Sequence, residues 1–290
     1  MNARLEVAGR EVEVDFARPF DLSVELDFHG PQVRHFGAPR ASSQPYSVPG
    51  FSGSVASGAS CNCESITLIP HCNGTHTEGA GHLTLEPLHV HRLVPRGPLP
   101  ALLLSVKPVP CGESPESSDP RPQPNDRLVT RSALQTAWRG KPPPAGPRAT
   151  EPAFGSRAAE PPFAPRALVI RTLPNEATKR TRDYTDMTPP YLTREAAQFL
   201  VERGIEHLIV DLPSIDRSHD EGRLTAHRLF FGLPPGDATL AHAARPQCTV
   251  TELAYIPDDA PDGYYLLQLQ VPAINGDAVP CRPLLYRLTT

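Results

Sequence analysis

No apolar run in this 290-residue sequence is long enough to cross a bilayer as a helix. The longest, Leu99 to Val106, is eight residues and is interrupted by Pro100 and Ser105, against the ~20 that a transmembrane helix needs. No secretory leader is expected either: MNARLEVAGREVEV carries charges where a leader has its apolar centre. The expectation is a cytoplasmic chain. An excess of one charge sign is also lacking. Lys and Arg number 28 and Asp and Glu 32, a formal net charge of −4. That balance speaks against broad electrostatic binding of nucleic acid or of an anionic membrane. The six cysteines, at 61, 63, 72, 111, 248 and 281, have no framework spacing. Reduced thiols are therefore expected rather than disulfides. There is no internal repeat, and no G-x-S-x-G elbow that would make Ser214 a nucleophile.

Proline is what the sequence has in excess: 36 of 290 residues, against a usual ~5%. Fourteen of them fall between 108 and 165. We read that stretch as an insertion within a single domain covering 1–290. Its flanks are read as mobile, and Leu128 to Arg139 as one or two docked helical turns, with Trp138 a candidate lid. Elsewhere the signals are those of a folded body. Residues 10–28 read as two strands broken by Pro19, and 38–60 as loop. Ser65 to Pro70 and Ala101 to Val106 read as strands. ALVIRT from Ala167 is a buried strand, TREAAQFLVERG a helix capped by Thr193 and stopped by Gly204, and HLIVDL a second buried strand. Strand, helix, strand at this spacing is a βαβ unit, so part of the sheet is parallel. Three more strands follow, at 249–255, 264–271 and 284–288. The class is α/β with a mixed sheet and more strand than helix.

Residues 71–82, HCNGTHTEGAGH, put three histidines and a glutamate within twelve positions. Imidazole nitrogens and carboxylate oxygens are ligands for a divalent transition metal. In an extended chain His76 and Glu78 share a face. His71 is an odd step away, and the Asn73-Gly74 turn signal offers a way to bring it back. Gly79 and Gly81 give the backbone freedom to turn His82 inward. A polar turn with surface histidines is the plain alternative. A structural zinc site on Cys61, Cys63 and Cys72 is another, although Cys61-Asn62-Cys63 lacks the usual C-x2–4-C spacing.

The same twelve residues resemble the signature H-x-G-T-H-x-D-x-P-x-H of the cyclase-like metal-dependent hydrolases, the family of kynurenine formamidase and isatin hydrolase type. Gly74, Thr75, His76 and His82 match it. One extra residue follows His71, Glu78 stands for Asp, and Ala80 for Pro. Downstream, Asp211, Pro213, Ser214, Asp216 and His227 are similar to the family's D-x-P-S-x-D and A-H-R places, and Glu252 to a later strand glutamate. The resemblance covers roughly 60–82 and 166–290.

The resemblance implies a mixed α/β body around a small β-barrel with flanking helices, the swivelling β/β/α fold. It implies one or two divalent ions per chain, Zn or Mn. His71, His76 and Glu78 would hold the first, with Glu78 able to bridge. His227 and Glu252 would complete a second position, and His82 would be its further ligand or the general acid/base. Asp211, Ser214 and Asp216 would support ligands or contact substrate. The implied reaction is hydrolysis of a small-molecule amide, formamide or lactam by a homodimer or homotetramer. The rival class is a non-catalytic metal- or small-molecule-binding protein on the same fold. Packing or turn roles remain open for His227, Glu252, Asp211 and the pair Phe230-Phe231. The loop holding Arg180, Arg182, Tyr184 and Tyr191 could meet an anionic substrate or only solvent.

Overall fold

ALVIRT is apolar on both of its faces, and such a strand is stable only when both are covered. In the computed structural model, which describes residues 2–7, 10–141 and 164–289, it is the buried middle of one large sheet. In chain order the strands of that sheet are β1 (Asn2–Val7), β2 (Arg10–Asp15), β3 (Phe20–Asp21), β4 (His76–Gly79), β5 (Leu99–Val106), β6 (Ala167–Thr172), β7 (His207–Val210), β8 (Thr249–Glu252), β9 (Gly263–Gln270), β10 (Ala278–Pro280) and β11 (Arg282–Thr289). In space they run β1-β2-β11-β9-β5-β6-β7-β8-β4-β10, with β3 also on β11. The four central strands, β5 to β8, are parallel, and β9 and β4 flank them antiparallel.

Three helices lie against this sheet: α1 (Arg131–Arg139), α2 (Arg194–Glu202) and α3 (Thr225–Phe231). Side chains alternate along the parallel strands. Leu102, Leu104, Leu168, Ile170, Leu208 and Val210 face the helices, where Phe199, Leu200, Phe230 and Phe231 cover them. Leu103, Val169 and Ile209 face the other way, onto Leu22, Ile256, Leu267 and Leu285. The segment β6–α2–β7 is the βαβ unit expected from the sequence. The Thr193 hydroxyl accepts from the Ala196 N–H at 3.0 Å, and Gly204 takes the left-handed conformation just past the helix end, at φ +69°.

Several expectations need correction. The sheet order has two ends, and no closed barrel forms among the described strands: β1 pairs only with β2, and β10 only with β4. The second strand expected in 10–28 shrinks to Phe20–Asp21. Residues 38–60 are not simple loop. Ser42–Pro45 pairs with Glu64–Thr67, and Ser47–Val48 with Phe51–Ser52. These strands lack apolar alternation because they pair with each other and lie largely exposed.

The segment before α1 is tied down, contrary to the reading of a mobile flank. The Glu116 carboxylate accepts from the Arg131 and Ser132 N–H groups at 2.7 and 3.0 Å and from the Thr193 hydroxyl at 2.6 Å. One acid thus caps α1 and ties it to the start of α2. Trp138 packs edge-on to Phe199 of α2 at 5.9 Å, with Arg203 stacked on it, so it belongs to a helix contact and not to a lid. The proline-rich stretch 142–163 lies outside the described residues. Among those described, no helix is long and apolar enough to cross a membrane.

Candidate metal centre

Strand β4 lies between β8 and β10. Its His76 pairs in register with Glu252 on one side and Pro280 on the other, and its Glu78 with Val250 and Ala278. The period of two puts His76 and Glu78 on one face, both buried. Thr77 points to the opposite face and shares a 2.8 Å hydrogen bond with Thr251. Before the strand, the Cys72 and Asn73 N–H groups both donate to the Ile69 carbonyl, and the Asn73 side chain accepts from the Ile69 N–H at 2.7 Å. Gly74 follows with φ +155°. This turn absorbs the odd spacing and brings the His71 ring to 5.3 Å from that of His76.

Gly79 and Gly81 serve space, since neither has a left-handed backbone. A Cβ on Gly79 would lie 2.6 Å from a Leu93 methyl, and one on Gly81 2.5 Å from the Leu88 carbonyl oxygen. The tight turn Ala80–His82 then returns His82 to the cluster, its ring 4.3 Å from His71 and 6.0 Å from His227.

Glu78 is the centre of the arrangement. One carboxylate oxygen is 2.8 Å from His71 Nδ1 and the other 2.7 Å from His227 Nε2. Glu252, at the C-terminal end of β8, lies 3.6 Å from His76 Nε2 and 3.4 Å from His227 Nε2, and accepts from the Ile215 N–H at 2.7 Å. His227 comes from the first turn of α3. The Asp216 carboxylate accepts from the Ala226 and His227 N–H groups at 2.7 and 3.0 Å and from the ring Nδ1 of His227 at 2.7 Å. It caps the helix and aims the opposite ring nitrogen at Glu78. Ser214 is buried behind it, accepting from the Asp216 N–H at 3.2 Å.

The electrostatics follow from burial and pairing. Burial disfavours charge on His71, but hydrogen bonds to Asp277 and Glu78 outweigh it and push its pKa up to about 10. Burial likewise opposes charge on His227, and the Glu78 charge with the hydrogen bond to Asp216 holds it well above the ordinary range. Burial works against the Glu78 carboxylate too, yet His227 and His82 keep it well below the ordinary range.

The donor set fits a divalent ion. His71, His76 and Glu78 bring one ligand atom each within 4.8 Å of one another, and so do Glu78, His227 and Glu252. His76 Nε2 is buried without a hydrogen-bond partner, and Glu78 Oε1 and His227 Nε2, 2.7 Å apart, meet in a geometry that makes no hydrogen bond. Unpartnered buried polar atoms cost about 1–3 kcal/mol each, and a shared cation removes that cost. Glu78 belongs to both triplets, so its carboxylate would be shared if two ions were held. None of the metal-capable clusters among the described residues includes Cys61, Cys63 or Cys72.

Asp211 is not brought to this cluster. It accepts from the Thr172 N–H and hydroxyl at 2.9 Å and pairs with the Lys179 ammonium at 2.8 Å, wholly buried. Phe230 and Phe231 are core, and Phe231 also places its ring 6.2 Å from His227. Tyr191 donates to Asp126, while Arg180 and Arg182 lie over Tyr255 and Tyr184.

Sequence reasoning missed two residues. Asp277, in the turn before β10, accepts from His71 Nε2 at 2.9 Å and His82 Nδ1 at 3.3 Å. Its only sequence signal is the preceding Asn275-Gly276 turn pair. His35 is buried with both ring nitrogens unpartnered, and its N–H donates to the Cys72 carbonyl at 3.1 Å. Burial lowers its pKa to about 4, so it stays neutral.

A family model described as "Putative cyclase" matches residues 20–217. The chain belongs to the cyclase family. The match takes in His71, His76, Glu78 and His82 and stops before His227, Glu252 and Asp277. Among solved structures, isatin hydrolase A from Ralstonia solanacearum superposes with a TM-score of 0.54 at 16% identity, over 93% of this chain and 91% of that one. A "predicted metal-dependent hydrolase" from Bacillus stearothermophilus gives 0.51 at 15% identity over 93% and 98%. A "novel cyclase" gives 0.55 at 12% over 94% and 89%. At such identities the likeness establishes the cyclase-family fold. Curated proteins give no match to the sequence.

Proposed function

We propose that the chain is a metal-dependent hydrolase of a carbon–nitrogen bond in a small amide, formamide or lactam. The observation that carries this reading is the convergence of His71, His76, His227 and Glu252 on the buried Glu78 carboxylate, with His76 Nε2 left unpartnered. His71, His76 and Glu78 would hold one ion, Zn or Mn, and Glu78, His227 and Glu252 a second. A divalent ion held there would supply Lewis-acid polarisation of a carbonyl and would bring the pKa of a bound water toward ~7. Solved relatives called isatin hydrolase and metal-dependent hydrolase support the same class.

The protein's own groups do the rest. Asp216 fixes the ring of His227, and the Ile215 N–H fixes Glu252, so neither ligand needs to reorganise. His82 lies at the more open side, 28% exposed, beside His71. With Nδ1 on Asp277, its Nε2 is free to take a proton from the attacking water and then hand it to the leaving nitrogen. The neutral ring of His35 is a candidate polar contact for substrate. The expected assembly is a homodimer or homotetramer.

The test is turnover of isatin, a cyclic amide, and of N-formylkynurenine by protein loaded with zinc or manganese. Hydrolysis abolished by His82→Ala, with metal retained, supports the assignment. Metal-loaded protein that opens no formamide, lactam or cyclic imide refutes the enzymatic reading and leaves a binding protein on this fold.

A further inference from the structure

Asp277 stands on the side of the cluster away from Glu78, 206 residues beyond His71 and 195 beyond His82. One of its oxygens, Oδ2, meets His71 Nε2 at 2.9 Å and His82 Nδ1 at 3.3 Å. The two rings it holds lie 4.3 Å apart. The turn that carries it is bolted to the same strand as the ligands. The Gly79 N–H donates to the Asp277 carbonyl at 3.2 Å, the Val90 N–H to the Gly276 carbonyl at 3.0 Å, and Ala278 pairs in register with Glu78. Gly276 fits that turn closely, since a Cβ there would lie 2.9 Å from the Ala278 carbonyl oxygen.

An imidazole has two nitrogens and, when neutral, one proton. The nitrogen that donates to a carboxylate keeps the proton, and the other is left with its lone pair. Once a bound metal displaces the second proton of His71, the lone pair falls on Nδ1, the nitrogen that faces Glu78 at 2.8 Å. For His82 it falls on Nε2. Resting on the metal-centre reading above, we propose that Asp277 is a positioning residue: one carboxylate oxygen sets the ring orientation and tautomer of both His71 and His82. It does for this pair what Asp216 does for His227, so carboxylates brace the cluster from two sides. A carboxylate behind a ligating histidine raises the ligand's basicity, and its loss lowers metal affinity by ~10–100-fold.

The experiment compares wild type with Asp277→Asn and Asp277→Ala. Each is stripped, then titrated with zinc in competition with a chromophoric chelator. Ions per chain at saturation are counted by mass spectrometry, and the metal-free proteins are melted. The positioning role predicts a 10–100-fold weaker zinc affinity in both variants, with an unchanged number of ions per chain. Cobalt-loaded protein adds a spectroscopic reading: the visible bands shift in Asp277→Asn, because His71 no longer presents Nδ1 in one fixed orientation. Equal affinity and equal bands in all three proteins overturn the proposal while leaving the metal centre standing. The proposal also fails if the variants melt lower when metal-free yet bind zinc as tightly as wild type, since Asp277 is then only a loop anchor. Loss of one ion per chain overturns it as well, by making Asp277 a ligand. Wild type that binds no zinc removes the metal centre itself, and the proposal with it.

Discussion

Replacing Asp216 separates the fold from the site. Its carboxylate accepts three hydrogen bonds: two from backbone N–H groups at the start of α3 and one from the His227 ring. Asp216→Ala removes the cap of α3, which costs about 0.5–2 kcal/mol. It also removes a hydrogen bond to a chargeable buried ring, about 1.5–3 kcal/mol. Together the metal-free chain should lose about 3–4 kcal/mol. Asp216→Asn keeps one acceptor oxygen for the Ala226 N–H but loses the bond to the ring, so its loss should be about 2–3 kcal/mol. Metal affinity should respond differently. Both variants free the His227 ring, and both should bind zinc ~10–100-fold more weakly. Urea unfolding of the metal-free proteins, followed by circular dichroism, reads the first quantity, and chelator competition reads the second. Wild-type zinc affinity in both variants would show that Asp216 does not aim His227 at the cluster. A loss below ~1 kcal/mol in Asp216→Ala would refute its role as the cap of α3.

The raised pKa values of His71, to about 10, and of His227 lie above their unfolded values. Their contribution to metal-free stability is therefore complete below pH ~6.5 and is lost as pH rises toward 10. Melting temperatures of stripped protein should fall across that window. Zinc affinity should rise across the same window, because binding must displace those protons, and dye-detected proton release in weak buffer measures it. Asp211→Ala leaves the buried Lys179 ammonium without its counter-ion and should cost about 3–5 kcal/mol while sparing metal affinity per folded molecule; thermal melts and zinc titration together check this. Gly81→Ala forces a methyl to within 2.5 Å of the Leu88 carbonyl and should weaken zinc binding by shifting the turn that follows Glu78, read by the same titration.

The βαβ unit was legible because its signals are local. Two apolar runs flank a capped amphipathic segment, and nothing distant overrides them. His76 and Glu78 were legible for the same reason, since alternation alone places them on one face. The position of His71 needed only the Asn73-Gly74 turn. Asp277 was not legible, because it meets its histidines through the pairing of β10 with β4, which no local pattern encodes. Asp211 and Asp216 share one short motif, and their sequence context treats them alike. What separates them is Lys179, which captures Asp211, and the start of α3, which captures Asp216. The strands within 42–52 escaped notice because they are short, polar and largely exposed, although Ser65 to Pro70 signalled the partner at Glu64–Thr67. The anchoring of the segment before α1 escaped because Glu116 meets a helix start fifteen residues further on.

Whether the Glu78 cluster binds a divalent cation is read from the metal content of gently purified protein. Mass spectrometry of wild type beside His76→Ala measures it, with circular dichroism to show that both are folded. One or two zinc or manganese ions per wild-type chain are expected, with loss of bound metal in the variant. Folded wild-type protein that carries no metal, and takes up none on reloading with zinc or manganese, would contradict the assignment of this cluster as a metal centre.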